Sequence, residues 1–243
     1  MTTNSVKKYF IVPDLHTPYH DVKAVALAKQ IYDAFNPDST IFIGDNRDFI
    51  WASRFFVPHE QRKGAVIKEL RAWEAVSGLF KSKETLHLRG NHEGRLLEYL
   101  DRNPELEGLE GFTVKSLYPG LVRGDHVAIA QGSFIVTHGS VIRSSPGQSA
   151  WGEMQKWGRS GCSGHSHRLS RHYHRNYSGV RVWLECGHLA LNPPHYRRVN
   201  NPAPENWQQG CVLIYVEGNQ FHAEEIPFTL HYRAMFNGRK YQA

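Results

Sequence analysis

No run of about 18 consecutive apolar residues occurs in the chain, so a membrane-spanning helix is not expected. Cysteine is scarce: Cys162, Cys186 and Cys211 lie far apart, with no CxxC pair. That scarcity argues against a disulfide framework or a structural zinc module and favours a reducing, cytoplasmic setting. Internal repeats, low-complexity segments and long linkers are also missing. The stretch MTTNSVKKYFIVPDLH carries lysines, but its apolar run is too short for a signal peptide and leads directly into a strand.

What is present is enough for a large core. With 243 residues, 40% of them apolar, one domain over 1–243 is expected. A net charge of +6 permits a polyanionic partner without requiring one. Fifteen histidines need more explanation, because histidine is the commonest metal ligand among side chains.

The first half alternates strand and helix. KYFIV (8–12) reads as a strand buried on both faces. Asp21 can cap a helix bearing Val22, Val25, Ala28, Ile31, Tyr32 and Phe35, spaced three and four apart. STIFIGD is a second strand. A helical stretch follows around 60–80, with Val66, Leu70, Trp73 and Phe80 near one face and Gly64 weakening its start. ETLHLRGN is a third strand leading into a helix at 94–102. Beyond residue 120 the segments HVAIA, SFIVTHG, VRVWLECG, GCVLIYVEG and FHAEEIP read as strands, with a hairpin at EGNQ (217–220). The Asn/Pro-rich stretch 192–206 reads as a surface loop. Alternation followed by a strand-rich half predicts an α/β fold, two stacked mixed β-sheets flanked by α-helices.

The polar residues fall at strand ends. Asp14 and His16 follow FIVP, Gly44-Asp45-Asn46-Arg47-Asp48 follows STIFI, and Gly90-Asn91-His92-Glu93 follows ETLHLR. SFIVTHG ends at His138, and CSGHSH supplies His165 and His167. Ligands of α/β sheets bind at the carboxyl ends of strands, so these groups should converge on one edge. Residues i and i+2 of an extended segment point the same way, so Asp14 with His16, and His165 with His167, are each expected to act as a two-toothed claw. Taken singly, each segment has an ordinary reading as a turn, a cap or a strand-end histidine. Taken together, the claws with Asp45, Asn91 and His138 offer seven side chains of a mixed nitrogen and oxygen set. Manganese, iron, zinc or nickel suit such a set better than magnesium or calcium. Two metals about 3.5–4 Å apart form a clamp for in-line displacement at phosphorus.

These motifs resemble those of the calcineurin-like metallophosphoesterase superfamily: DxH at 14–16, GDxxD at 44–48, GNHE at 90–93, His-Gly at 138–139 and GHxH at 164–167. The resemblance implies a two-sheet sandwich and two divalent transition metals, manganese foremost. It implies that Asp14, His16 and His167 hold one metal, that Asn91, His138 and His165 hold the other, and that Asp45 bridges them. It also implies that His92 is a general acid rather than a ligand, with Asp48 holding its ring, while metal-activated hydroxide attacks phosphorus. A carboxylate contact would raise the histidine's pKa and fix its orientation. LRGNHE also resembles the Ser/Thr protein phosphatases, but Phe49-Ile50 stands where those chains carry Arg-Gly. PDLHTPYHD, GNHEGRLLEYL, GHSHRL and WLECGHLALNPP are more similar to small phosphoesterases of bacteriophages or bacteria, whose setting would be the host cytoplasm. His188 stands where such chains carry cysteine or a small residue.

For substrate binding, Arg47 can meet a phosphoryl oxygen or pair with Asp48. Arg168 leads the basic and aromatic stretch RLSRHYHRNY, which suits nucleic acid or nucleotide phosphates. Trp207 can offer a stacking wall. No cap-sized insertion divides the motifs, so an open cleft is expected. The expected partner is a phosphate ester, of a nucleotide, cyclic nucleotide or nucleic acid, and no membrane. The reading is a phosphodiesterase or phosphomonoesterase, with a nuclease, a phosphoprotein phosphatase and a non-catalytic binding module as alternatives.

Overall fold

The alternation of large apolar side chains along the first strand decides how the layers stack. The computed structural model describes residues 5–106, 108–118, 120, 124–192 and 206–243. Tyr9 and Ile11 of β1 (Lys7–Val12) enter one buried cluster, and Phe10 and Val12 enter another. Successive side chains of a strand face opposite ways, so β1 is covered on both faces. The chain continues through α1 (Val22–Phe35), β2 (Ser39–Phe42), α2 (His59–Arg62), α3 (Ala65–Leu79), β3 (Glu84–His87), α4 (Asn91–Arg102) and α5 (Val114–Leu117). The strand-rich half follows: β4 (His126–Ile129), β5 (Phe134–Thr137), α6 (Gln148–Trp157), β6 (Ser160–Ser163), β7 (Leu169–Asn176), β8 (Gly179–Cys186), β9 (Gly210–Glu217), β10 (Gln220–Pro227), β11 (Arg233–Phe236) and β12 (Arg239–Gln242).

Two five-stranded mixed sheets result, in the orders β10-β9-β1-β2-β3 and β4-β5-β6-β8-β7. Strands β1, β2 and β3 run parallel, as do β5, β6 and β8, while β9, β10, β4 and β7 are antiparallel to their neighbours. Ile11, Ile41 and Val212 of the first sheet meet Phe134, Val136, Cys162 and Leu184 of the second in one shared apolar interior. On the outer face of the first sheet, Phe10 and Phe42 pack with Ala24, Leu27 and Ile31 of α1 and Trp73 of α3. On the outer face of the second, Ile135 and Trp183 pack against Ala150 and Met154 of α6. The fold is therefore the expected α/β arrangement of two stacked mixed sheets between helices.

Several elements differ from expectation for local reasons. Asp21 caps α1 by accepting from the backbone of Lys23 and Ala24 at 3.0 and 3.2 Å, but Val22 is 71% exposed and lies off the apolar face. The helix expected around 60–80 is two helices, divided where Gly64 adopts a left-handed backbone with φ of 67°. The helix expected at 94–102 begins at Asn91, which places His92 and Glu93 in its first turn. Strand β6 (SGCS) has no apolar run, because Gly161 lies against the Trp183 ring and the Ile135 carbonyl. Most of the stretch 192–206 lies outside the described residues.

One ion pair is enclosed beneath the second motif. Arg47 Nη2 and Nε lie 2.8 and 2.9 Å from Glu69 Oε1, and Glu69 Oε2 accepts from the Phe49 backbone at 3.0 Å. Arg47 also donates to the Leu117 carbonyl and lies over the Phe49 ring, 4.4 Å from its centre. Both side chains are fully buried. Removing one partner leaves an uncompensated charge in a dry site, so Glu69→Ala is expected to cost about 3–5 kcal/mol in urea unfolding. A loss below about 1 kcal/mol would show that Arg47 has another way to be compensated.

Candidate metal centre

Every loop of this site leaves a parallel strand at its carboxyl end. Asp14 and His16 follow β1, Asp45 and Asp48 follow β2, and Asn91 and His92 open the helix after β3. His138 follows β5, and His165 and His167 follow β6. Asp14, His16, Asp45, His165 and His167 all adopt left-handed backbone, with φ of 24°, 49°, 46°, 65° and 57°. Such a conformation costs a non-glycine residue about 1–3 kcal/mol and persists where its surroundings over-determine it. Two motif glycines permit the close approach. A Cβ on Gly90 would collide with the Asp45 carboxylate, and one on Gly164 with the Asp14 carboxylate.

Asp14, His16 and His167 present one donor group, and Asp45, His138 and His165 a second. A third group, His16, Asp45 and His92, joins the first two through its shared members. The expected claws are therefore corrected. Their segments are left-handed rather than extended, and although Asp14 and His16 stay together, His165 and His167 diverge into separate groups. His16 Nε2 and His167 Nε2 lie 3.1 Å apart, so either one nitrogen carries a proton or both lone pairs converge on a cation. The Asp45 carboxylate lies between the groups, with Oδ2 3.7 Å from His16 Nε2 and Oδ1 3.5 Å from His138 Nε2. Asn91 Oδ1 joins on the His138 side, 3.0 Å from Nε2.

Carboxylates and imidazoles compensate one another in the cluster. Burial pushes the Asp14 and Asp45 carboxyls upward, but the surrounding histidines, chiefly His167 and His138 at Asp14 and His138 and His92 at Asp45, hold both below the usual carboxylate range. Burial lowers His138, yet Asp45 outweighs it and pushes the imidazole up to about 9. Burial lowers His16 and His165. Asp14 Oδ2, His16 Nδ1, Asp48 Oδ2, His138 Nδ1 and His167 Nδ1 are enclosed without hydrogen-bond partners. Orphaned buried donors and acceptors are rare, and this nitrogen and oxygen set fits divalent transition metals.

His92 faces the cluster from the first turn of α4. Its Nδ1 lies 2.9 Å from the backbone carbonyl of Asp48, which can only accept, so Nδ1 carries the proton. The Asp48 carboxylate is further away, with Oδ2 3.5 Å from His92 Nδ1 and 3.4 Å from His16 Nδ1. Asp48 thus meets two imidazoles, and its main chain is the nearer support for His92. His92 Nε2 meets Arg95 Nη2 at 2.9 Å. Burial lowers the His92 pKa, but Asp45 and Asp48 outweigh it and the net shift is upward.

One of the two expected substrate arginines needs correcting. Arg47 is enclosed with Glu69 rather than Asp48, and no exposed part of it reaches the cluster. Arg168 donates to the Arg143 carbonyl, Arg171 pairs with Glu225, and His172 and His174 flank Trp151 on the second sheet. Arg95 is the arginine beside the proposed acid. Glu93 was also unassigned, and its buried carboxylate accepts from the backbones of Asp45, Asn46 and Gly90 at 2.9, 3.0 and 2.8 Å, tying two motif loops together. The signal was available, since an acid two residues into a helix's first turn faces free backbone N–H groups. Glu185 supports the last motif through Ser166 Oγ at 2.7 Å. Trp207 packs edge-on against the His167 ring at 4.3 Å, and His188 is fully buried and stacks on His167 at 5.1 Å.

Known proteins resemble this chain in sequence and in fold. The description "Calcineurin-like phosphoesterase" matches residues 7–196. The Gene 54 protein of Mycobacterium phage D29 is 27% identical, with 92% of this chain and 94% of that protein covered. Its counterpart in Mycobacterium phage L5 is 26% identical over the same shares, 92% and 94%. Among solved structures, Vps29 of Chaetomium thermophilum superposes with a TM-score of 0.52 at 12% identity, covering 92% of this chain and 86% of that one. At that identity the likeness concerns the fold alone. No described helix is long and apolar enough to cross a membrane. Matched over most of its length and carrying the His/Asp cluster at its strand ends, the chain belongs to the calcineurin-like phosphoesterase family.

Proposed function

We propose that this chain hydrolyses phosphodiester bonds of nucleotides with two divalent transition metals, manganese foremost, and with His92 as general acid. The observation that carries the reading is the Asp45 carboxylate, whose two oxygens face histidines of two separate donor groups at 3.7 and 3.5 Å. Asp14, His16 and His167 would hold one metal, Asn91, His138 and His165 the other, and Asp45 both. Bound there, the metals supply Lewis acidity toward phosphoryl oxygens and lower the pKa of water. Similarity to proteins of two mycobacterial phages supports a phage-encoded enzyme that works inside a host.

The remaining chemistry belongs to His92. The Asp48 carbonyl fixes its ring through Nδ1, leaving Nε2 to deliver a proton to the departing oxygen. In the structure Nε2 accepts from Arg95, so protonating Nε2 requires Arg95 to release that contact. Asp45 and Asp48 favour the charged ring once it forms.

His92→Ala is expected to retain both metals by elemental analysis while turnover of a diester with a poor leaving group falls about 10²–10⁴-fold. Bis-p-nitrophenyl phosphate, which needs less proton assistance, should lose less. Metal loss in the variant, or equal losses on both substrates, would overturn the acid assignment. Asp45→Asn is expected to weaken metal binding at both positions by calorimetric titration with manganese, and two undisturbed sites would refute the shared carboxylate.

A further inference from the structure

Arg95 stands three residues beyond His92 on α4, so both side chains rise from one side of the helix. Its Nη2 lies 2.9 Å from His92 Nε2 and its Nη1 donates to the Asp48 carbonyl at 3.1 Å. A guanidinium carries five N–H donors, and these contacts engage two. The side chain is 30% exposed and lines a pocket of about 240 Å³ together with Ser53, Arg54, Phe55, Asn91 and Glu98. The pocket therefore adjoins Asn91, which joins the donor cluster, and Arg95, whose Nη2 contacts the His92 nitrogen assigned to protonate the leaving oxygen. A leaving group departing toward His92 departs toward this pocket.

The lining has a definite chemistry. Arg54 lies over the Phe55 ring, 5.2 Å from its centre, and that ring is 66% exposed. Glu98, the one acid of the lining, is paired with Arg102 at 3.1 Å. Two guanidinium groups, each able to grip an oxyanion in bidentate fashion, suit a phosphate better than a singly charged carboxylate. An exposed aromatic face beside them suits a nucleobase.

We propose that Arg95 and Arg54 form a subsite for a second phosphate carried by the leaving group. The substrates would then be diesters whose departing alcohol is itself phosphorylated, as in a polynucleotide or a nucleoside bisphosphate ester. A water oxygen bonds phosphorus as the bond to the departing oxygen breaks with its electron pair; His92 gives its Nε2 proton to that oxygen, and the proton the water loses restores the imidazole. The inference rests on the diesterase reading of the metal centre.

Calorimetric titration of the manganese-loaded protein with thymidine 3′,5′-bisphosphate, thymidine 5′-monophosphate and thymidine 3′-monophosphate tests it. The bisphosphate is expected to bind at least about tenfold more tightly than either monophosphate. Arg95→Ala should bring the ratio close to one, and Arg95→Lys, which keeps the charge without the fork, should give an intermediate value. Arg54→Ala, at an exposed position that the core does not need, should reduce the preference several-fold. Equal wild-type affinities, no measurable bisphosphate binding, or a preference that survives Arg95→Ala overturns the proposal. If Arg95 only supports the His92 ring, its removal weakens all three ligands alike and leaves the ratio unchanged. Bis-p-nitrophenyl phosphate turnover by the same preparation keeps the two readings apart. A bisphosphate preference without turnover refutes the catalytic reading, and turnover without preference refutes the subsite.

Discussion

A carboxylate taken out of water must be compensated where it stands, and here Asp14, Asp45 and Asp48 are all enclosed in one loop cluster. The compensation comes from imidazoles, with His167 and His138 beside Asp14, His138 and His92 beside Asp45, and His16 and His92 beside Asp48. Much of the surrounding backbone follows from that requirement. Left-handed residues turn the ligand side chains inward, and Gly90 and Gly164 remove the Cβ atoms that would keep the chain from the carboxylates. Glu93 then closes four backbone N–H groups that the turns leave open, those of Asp45, Asn46, Arg47 and Gly90. The strain and the charges support each other.

The layers and the ligands were legible for different reasons. Buried strands of β-branched and aromatic residues declare themselves by composition, as KYFIV and GCVLIYVEG do. The donors declare themselves by position after those strands, so the motifs were visible before any geometry was known. Strand β6 was hidden because its close packing against Trp183 requires small residues, which look like a loop. The claw geometry also misled, because an i, i+2 rule holds for extended chain and these segments are left-handed.

Arginines proved hardest to place. Arg47 sits inside a ligand motif, and motif membership pointed it toward substrate. The deciding partner was Glu69, 22 positions away on α3, and a distant carboxylate of that kind leaves no local signature. Arg95 was hidden for the opposite reason. With the helix expected to start at 94, it stood in a first turn with no neighbour. Starting the helix at Asn91 brings it one turn past His92. A three-residue shift in a helix boundary, ordinary for sequence reading, thus changes which side chain stands beside His92.

The two sheets divide the donors between them. The first contributes Asp14, His16, Asp45 and Asn91, and the second contributes His138, His165 and His167. Each donor group draws on both, since Asp14 and His16 need His167, and Asp45 needs His138 and His165. Neither half of the chain therefore contains a complete site of lower affinity that could be improved by docking to the other. The centre is a property of the seam between the sheets, and a fragment holding one sheet would carry its motifs without a complete donor group.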